Sequence, residues 1–431
     1  MLEETWGLLG AEKLSGTRRT RTLGLGAAVR EFNERAVPGL GGIWFGKQAL
    51  LATLGIVVAE RAREDGAHVR NIEVANAIEA LACWLAFKSN SWKQDRRLRG
   101  INKLQEKGTD FSFSRVRQRN FYVTQPMRMS SVQALPSLGF ATSDGVRFNS
   151  YRSTEVGRAF VASACEAFRP YNRDVVDHLA KWVAANREDV GVDTWQLTQA
   201  ISPVVSMSGA ATKILVEGLR RDDSMSSRRR ASVLDWVDRV RLNNPKRVSW
   251  SARPTGINES HWRDLQAGAR FFAVREASID VLDAMEAALA AKAGECAFDL
   301  EKDALPAAVV DRLGVLRELS GTYLAMGHEQ QEAATFCQEC QRKERNVLGA
   351  LIARDGSVLR LVGKEIVPGA AFSYATDVIG PRQDDPDAPQ TSTLSLPMGI
   401  SYRVGNLYLL SLDINGQLSG WLAAEQQGRG T

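Results

Sequence analysis

The sequence predicts a mainly α-helical protein of several domains with a small C-terminal α+β region. Apolar residues recur at helical spacing through most of the chain, which is the primary signal of packed helices. With 431 residues the chain is too long for one hydrophobic core, since domains usually contain roughly 100–200 residues. A hydrophobic fraction of 44% and a charged fraction of 24% exclude the disordered and fibrous classes.

The composition favours a cytoplasmic protein without a membrane segment. The N-terminus has no basic start followed by an apolar core, so we expect no secretion signal. The longest apolar run, 49–59, is well short of the ~20 residues that a membrane-spanning helix needs. Five cysteines are few and odd in number, and most lie in apolar helical patterns, which is typical of a reducing compartment.

The first predicted domain, 1–110, is helical. A polar, basic arm at 1–23 precedes two helices at 44–64 and 71–89, which are apolar enough to form a buried hairpin. A basic helix at 93–107 follows them.

A short helix at 127–135 is predicted to have one apolar and one polar face. The apolar stripe consists of Met129, Val132 and Leu135, and the polar set consists of Arg128, Ser131 and Gln133. The helix must end before Pro136, because the residue before a proline disfavours helical backbone angles.

The residues after this helix predict a β-hairpin and a new helix. Asp144-Gly145 is a tight-turn pair, and the alternation at 147–151 indicates the returning strand. Thr154 is a good N-cap for a helix that begins at Glu155, where an acidic residue stabilises the first turn.

The segment at about 121–168 resembles the winged helix-turn-helix family. The matching residues are Leu138-Gly139-Phe140 at the exit of the recognition helix, Asp144-Gly145 in the wing, and Thr154 with Gly157 in the next helix. The resemblance covers about a tenth of the chain, and it departs from the family in its short recognition helix and in the extended residues 121–124 before it. It implies a winged-helix module within a predicted domain at 111–169.

Such a module binds either a nucleic-acid duplex or a partner protein, and both possibilities stay open. For a duplex, the polar helix face would enter a groove and arginines would contact phosphates. The candidate residues are Arg128, Ser131 and Gln133 on the helix, Arg147 and Arg152 on the wing, and the neighbouring Arg115, Arg117 and Arg119.

A third predicted domain, 170–255, contains a basic helix at 226–241. Its first turn includes Arg228, Arg229 and Arg230, an arrangement that opposes the helix dipole. Phosphate, an acidic protein surface or solvent would each neutralise this charge. The other predicted helices of this domain lie at 172–187, 193–201 and 208–220.

The last two predicted domains are a long-helix domain at 256–350 and the α+β region at 351–431. The first has helices at 259–293, 305–325 and 328–348. The second has a hairpin at 351–366 that turns at Asp355-Gly356, an extended loop at 377–398, and a final strand or helix at 400–413.

Two motifs resemble catalytic or metal-binding sites without completing them. The glycine-rich loop ending in Gly46-Lys47 has the spacing of a phosphate-binding loop, but Gln48 replaces the hydroxyl that holds magnesium. Cys337 and Cys340 have no second cysteine pair with which to bind zinc. We therefore expect no metal and no cofactor, although an active site assembled from distant residues stays possible.

The sequence thus favours a non-catalytic protein that binds DNA or associates with it, with duplex favoured and further protein subunits expected. By analogy alone, it fits an accessory subunit of a bacterial DNA-processing or phage-defence (antiviral) complex. The alternative is a helical adaptor that docks partner proteins through its winged helix. The arrangement of the arginine clusters distinguishes the two, since attraction of a polyanion requires neighbouring cations on one surface.

Overall fold

A computed structural model describes residues 21–118, 120–145, 147–185, 190–292, 297–372 and 394–428. Within these ranges the protein is mainly α-helical, as predicted, with eighteen helices and two small antiparallel sheets. Among the described residues, no helix has both the length and the apolar content required to span a membrane.

The helices are numbered in chain order. They are α1 (Gly26–Ala36), α2 (Gly46–Glu64), α3 (Asn71–Ser89), α4 (Ile101–Glu106), α5 (Phe113–Val116), α6 (Arg128–Ser131), α7 (Ala134–Leu138), α8 (Glu155–Cys165), α9 (Val175–Ala184), α10 (Trp195–Ile201), α11 (Gly209–Leu219), α12 (Met225–Asn243), α13 (Glu259–Ala290), α14 (Ala307–Leu324), α15 (Gln331–Glu339), α16 (Glu344–Asp355), α17 (Tyr402–Ile414) and α18 (Leu418–Gly428). The strands are β1 (Ala141–Ser143), β2 (Tyr151–Ser153), β3 (Phe298–Asp299), β4 (Leu359–Val362) and β5 (Glu365–Pro368).

The chain divides into two compact units. Unit 1 consists of residues 1–32 and 266–386, and unit 2 consists of residues 33–265 and 387–431. Residues of the predicted C-terminal region contribute to both, because β4 and β5 belong to unit 1 whereas α17 and α18 belong to unit 2. The finer five-part division stays a prediction.

Unit 2 is built around the helical hairpin of α2 and α3, whose bounds agree closely with the predicted helices. Both helices are buried over most of their length, as their nearly continuous apolar sequences require. Gly55 permits their close contact, since a Cβ at this position would lie 2.4 Å from the Cβ of Ala75. The helices α8, α9, α6 and α7 also pack against α2.

Unit 1 combines α14, α15 and α16 with a three-stranded sheet in the order β3-β5-β4. The buried Arg21 lies against three carboxylates of this unit. Its Nη2 donates to Glu286 at 2.9 Å, its Nε donates to Asp355 at 3.3 Å, and its Nη1 pairs with Asp283. This cluster attaches the start of the described chain to the unit 1 core.

Two of the predicted helices are shorter or interrupted in the structure. The basic helix at 93–107 is reduced to α4, since the side chain of Asp95 accepts the N–H of Arg97 at 2.8 Å in a non-helical turn. The helix at 328–348 is divided into α15 and α16, and Arg317 donates to the carbonyl of Arg342 between them.

The C-terminal hairpin turns later than predicted. The pair Asp355-Gly356 ends α16, where Gly356 is a left-handed C-cap with φ of 60°, and the strands β4 and β5 turn at Gly363-Lys364. The last predicted element, strand or helix at 400–413, is the helix α17.

Acid is expected to destabilise unit 2 through His261. This fully buried ring donates from Nε2 to the carbonyl of Ala36 at 2.9 Å, and Nδ1 has no partner in the described structure. Burial lowers the pKa of His261 to about 4. Because the folded pKa lies below the unfolded value, the stabilisation is complete above pH 6.5 and is lost as pH falls toward 4.

We expect wild-type unit 2 to lose about 2 kcal/mol more than the His261→Gln variant between pH 7 and pH 5, as linkage with these two pKa values requires. Glutamine retains a donor for Ala36 and does not titrate. Urea unfolding monitored by tryptophan fluorescence is specific for this unit, since nine of the ten tryptophans belong to it. An equal pH dependence of the two proteins would contradict the prediction.

Candidate nucleic-acid interface

A two-stranded hairpin and a capped helix follow α7, in the order that the sequence predicted. The antiparallel register pairs Ala141 with Ser153 and Ser143 with Tyr151, so the second strand begins later than expected. The side chain of Thr154 accepts the N–H of Gly157 at 2.9 Å and caps α8. Only glycine fits at position 157, because a Cβ would lie 2.0 Å from the carbonyl oxygen of Phe140.

The predicted faces of the short helix before the hairpin are found only in part, since Leu135 is buried and Gln133 is exposed as predicted. Arg128 and Ser131 are buried, whereas Met129 is 53% exposed. The predicted helix at 127–135 is instead divided into α6 and α7, which are separated by a turn. The apolar residues therefore do not determine which side of α6 faces the core of unit 2.

Glu79 of α3 determines this orientation. Its carboxylate accepts the backbone N–H of Met127 at 2.6 Å, the N–H of Arg128 at 2.9 Å and the hydroxyl of Tyr122. Burial raises the pKa of Glu79 above that of an ordinary carboxyl group, although these hydrogen bonds act in the opposite direction. Three donors from one short segment thus attach α6 to the middle of α3.

A groove of about 1160 Å³ runs along this face of unit 2. Its walls are the start of α3, the segment from α5 to α6, and the hairpin. Four arginines line it, namely Arg70, Arg117, Arg128 and Arg147, against the single carboxylate of Glu73. The formal charge of these five residues is +3, so the groove attracts anions.

Glu73 holds two of the four arginines. Arg117 donates to its carboxylate at 2.6 Å and Arg70 donates to it at 3.2 Å. Partial burial opposes the ionisation of Glu73, but the hydrogen bonds from both arginines outweigh it and lower the pKa of this carboxyl. One carboxylate shared by two guanidinium groups leaves a net positive charge at the start of α3.

Arg128 lies deeper in the groove wall and is only 7% exposed. Its Nε donates to Asn76 Oδ1 at 2.9 Å, and its guanidinium carbon lies 4.9 Å from the ring centre of Phe148. Burial lowers the pKa of Arg128. No carboxylate forms an ion pair with this side chain among the described residues.

The other candidate residues of the hairpin and of the neighbouring segments lie in different environments. Arg147 is exposed and lines the groove, whereas Arg152 is exposed on β2. Arg115 pairs with Asp110 at 3.2 Å, and Gln133 accepts a hydrogen bond from Arg403 at 2.9 Å. Arg119 lies outside the described residues.

Ser131 and the arginines at the start of α12 are not among the residues that line the groove. The fully buried hydroxyl of Ser131 donates to the carbonyl of Gln48. Arg229 pairs with Asp264 at 2.7 Å, and Arg230 is buried among backbone carbonyls. Only Arg228 is exposed. Two of the three arginines that oppose the α12 dipole, Arg229 and Arg230, are therefore bound to acceptors within unit 2.

Arg70 and Asn149 are polar groove residues that were not among the sequence candidates. Arg70 precedes a predicted helix without any motif, and the side chain of Asn149 accepts the N–H of Ile72 and so attaches the hairpin to the start of α3. The position of Asn149 depends on this contact between residues 77 positions apart, whereas Arg70 pairs with Glu73 only three residues away.

The glycine-rich loop is filled by protein contacts. A Cβ on Gly41 would lie 2.6 Å from the carbonyl oxygen of Ser130, and one on Gly46 would lie 2.2 Å from Met207. The buried Lys47 donates to the carbonyl of Ala200 at 2.5 Å, and burial lowers its pKa to about 8. This loop is a tightly packed turn into α2, without space for a phosphate.

The thiols of Cys337 and Cys340 are buried and unbridged in α15 and at its end. Burial raises the pKa of Cys340 to about 12, so the thiol is protonated at neutral pH. In the part of the chain that the structure describes, no group of three or more histidine, cysteine or acidic side chains has the arrangement of a metal site.

Comparisons of the chain with family models, with curated proteins and with solved structures give no match.

Proposed function

We propose that this protein binds DNA non-catalytically, through the groove and the adjoining wing of a winged-helix-like module. The observation that carries the proposal is the presence of Arg117, Arg128 and Arg147 on one groove. These residues come from three separate segments and were candidates on sequence grounds. Clustered cations of this kind attract a polyanion by their summed potential.

The exposed cations are the ones suited to backbone phosphates. Arg147 and Arg152 lie on the hairpin, and Arg117 follows α5 and is oriented by its ion pair with Glu73. Phosphate contacts position a protein on nucleic acid without reading sequence. The proposal is therefore of electrostatic binding with little sequence preference, as expected of a subunit that associates with DNA within a larger complex.

Docking of a partner protein is the second candidate function. It is favoured by Met129, which lines the groove with 53% of its surface exposed, since a methionine on a concave surface suits an adaptable protein interface. A partner segment with acidic and apolar residues would form ion pairs with the arginines and pack against Met129.

We expect the double substitution Arg117→Ala and Arg147→Ala to weaken duplex binding at least about 10-fold at 50 mM salt and to reduce the salt slope by about two. Each substitution removes one phosphate-seeking cation. Fluorescence anisotropy with a labelled random duplex at 50 and 200 mM salt measures both quantities.

A matched control is the pair Lys213→Ala and Lys246→Ala, which removes two exposed cations of unit 2 outside the groove. The control should retain wild-type affinity within a factor of about 3, a difference of well under 1 kcal/mol. Equal losses in the two variants would contradict the groove as the site. Absence of wild-type binding at 50 mM salt would exclude the DNA proposal and favour docking.

A further inference from the structure

The groove contains one cation, Arg128, that is much less exposed than Arg147 on the hairpin. We infer that Arg128 receives a terminal phosphate group, at the end of a nucleic-acid strand, from within the groove. This inference rests on the proposed function and specifies the form of nucleic acid that the groove accepts.

The guanidinium of Arg128 has unused donors. Its Nε donates to Asn76, and its backbone N–H donates to Glu79. The Nη atoms have no hydrogen-bond acceptor among the described residues, and they are not enclosed by protein. Arg128 is one of the residues that line the groove. A buried guanidinium with free Nη donors is suited to bidentate binding of a phosphate.

The position of this guanidinium is fixed before any ligand binds. Asn76 holds Nε, the ring of Phe148 lies 4.9 Å from the guanidinium carbon, and Glu79 holds the backbone. A fixed cation loses little side-chain entropy on binding, which increases the affinity per contact. Arg117 and Arg147 line the same groove and supply further positive charge.

The depth of Arg128 favours a strand end over an internal phosphate. A phosphodiester within a duplex is flanked by sugars on both sides, which hinder its approach to a side chain that is only 7% exposed. A terminal phosphate projects from its strand and has a charge of about −1.5 to −2 at pH 7, as phosphomonoesters do. The groove volume of 1160 Å³ is little larger than the ~300–1,000 Å³ of small-molecule sites, and it is large enough for the end of a strand.

The test compares short DNA strands of one sequence with an internal fluorescent label, bearing a 5′-phosphate, a 3′-phosphate or hydroxyl groups at both ends. Anisotropy is measured for the wild type and for Arg128→Gln, Arg128→Lys and the Lys213→Ala control. We expect one phosphorylated end to bind about 10-fold tighter than hydroxyl ends, equivalent to about 1.4 kcal/mol. The 5′ and 3′ strands identify which end is accepted.

The ratio of affinities for phosphorylated and hydroxyl ends is the informative quantity, because a general loss of folding or charge lowers both. This ratio should fall to about 1 in Arg128→Gln, should be reduced in Arg128→Lys, which lacks the planar fork, and should persist in the Lys213→Ala control.

Equal wild-type binding of all three strands would overturn the inference while leaving DNA binding intact. A phosphate preference that survives in a folded Arg128→Gln protein would overturn the assignment to Arg128. Absence of binding to every strand and to duplex would instead refute the proposed function itself. Should Arg128→Gln fail to fold, Arg128→Lys and the three wild-type measurements still decide the outcome.

Discussion

Substitution of Arg230 by alanine is expected to lower the free energy of unfolding of unit 2 by about 3–5 kcal/mol. The same change at Arg228, two residues earlier on α12, is expected to cost less than about 0.5 kcal/mol. The two side chains differ in burial, since Arg230 is 2% exposed and Arg228 is exposed. Arg228→Ala is thus a matched control for removal of one arginine.

Arg230 stabilises unit 2 because its guanidinium donates hydrogen bonds to several backbone carbonyls. It donates to Leu219 at 2.8 Å and to Pro38 at 2.9 Å, with longer contacts to Gly218 and Ser137. Leu219 is the last residue of α11, where the negative end of the helix dipole favours a cation. Burial lowers the pKa of Arg230, but alanine would leave these buried carbonyls without donors.

Urea unfolding monitored by tryptophan fluorescence measures both variants, since Trp236 lies on the same helix. A loss of less than 1 kcal/mol in Arg230→Ala, or equal losses in the two variants, would show that this arginine does not stabilise unit 2 as proposed.

Substitution of Glu79 by alanine is expected to destabilise unit 2 by about 3–5 kcal/mol and to deform the groove. Three donors would lose their acceptor, namely the hydroxyl of Tyr122 and the N–H groups of Met127 and Arg128. The fully buried carboxylate also attaches the segment that contains Arg128. Loss of this attachment affects both stability and any binding that depends on Arg128.

Glu79→Gln separates the two effects. Glutamine retains the size and one oxygen acceptor, but its amide nitrogen cannot accept the N–H of Arg128, so we expect a cost of about 1–3 kcal/mol. Thermal unfolding by tryptophan fluorescence and the anisotropy assay report stability and binding. If Glu79→Ala were as stable as the wild type, the carboxylate would not be the anchor of this segment.

Elements with strong local signals were predicted well from the sequence. The helices α2 and α3 follow from long apolar runs, and α8 begins where Thr154 and Glu155 indicated. Along α12, the regularly spaced apolar residues Val233, Trp236, Val237 and Val240 are buried. Helical periodicity and capping are properties of neighbouring residues, so they can be recognised in one sequence.

The candidate site was predicted in part. Arg117, Arg128 and Arg147 were selected from separate segments and line one groove, whereas Ser131 and Arg230 are buried structural residues. The prediction was wrong for Met129 and Arg128 because α6, a helix of four residues, is too short for its own periodicity to determine which face packs. Hydrogen bonds to Glu79 determine it instead.

The sequence by itself determined that the chain is mainly helical, where its long helices lie, and where the hairpin and the cap of α8 occur. Only the tertiary structure decided which arginines remain available to a ligand. Arg228, Arg229 and Arg230 are adjacent and chemically identical, yet the first is exposed, the second pairs with Asp264 and the third binds carbonyls. The difference arises because the partner of a charged side chain comes from residues far along the chain, whereas helix formation depends on residues only a few positions apart.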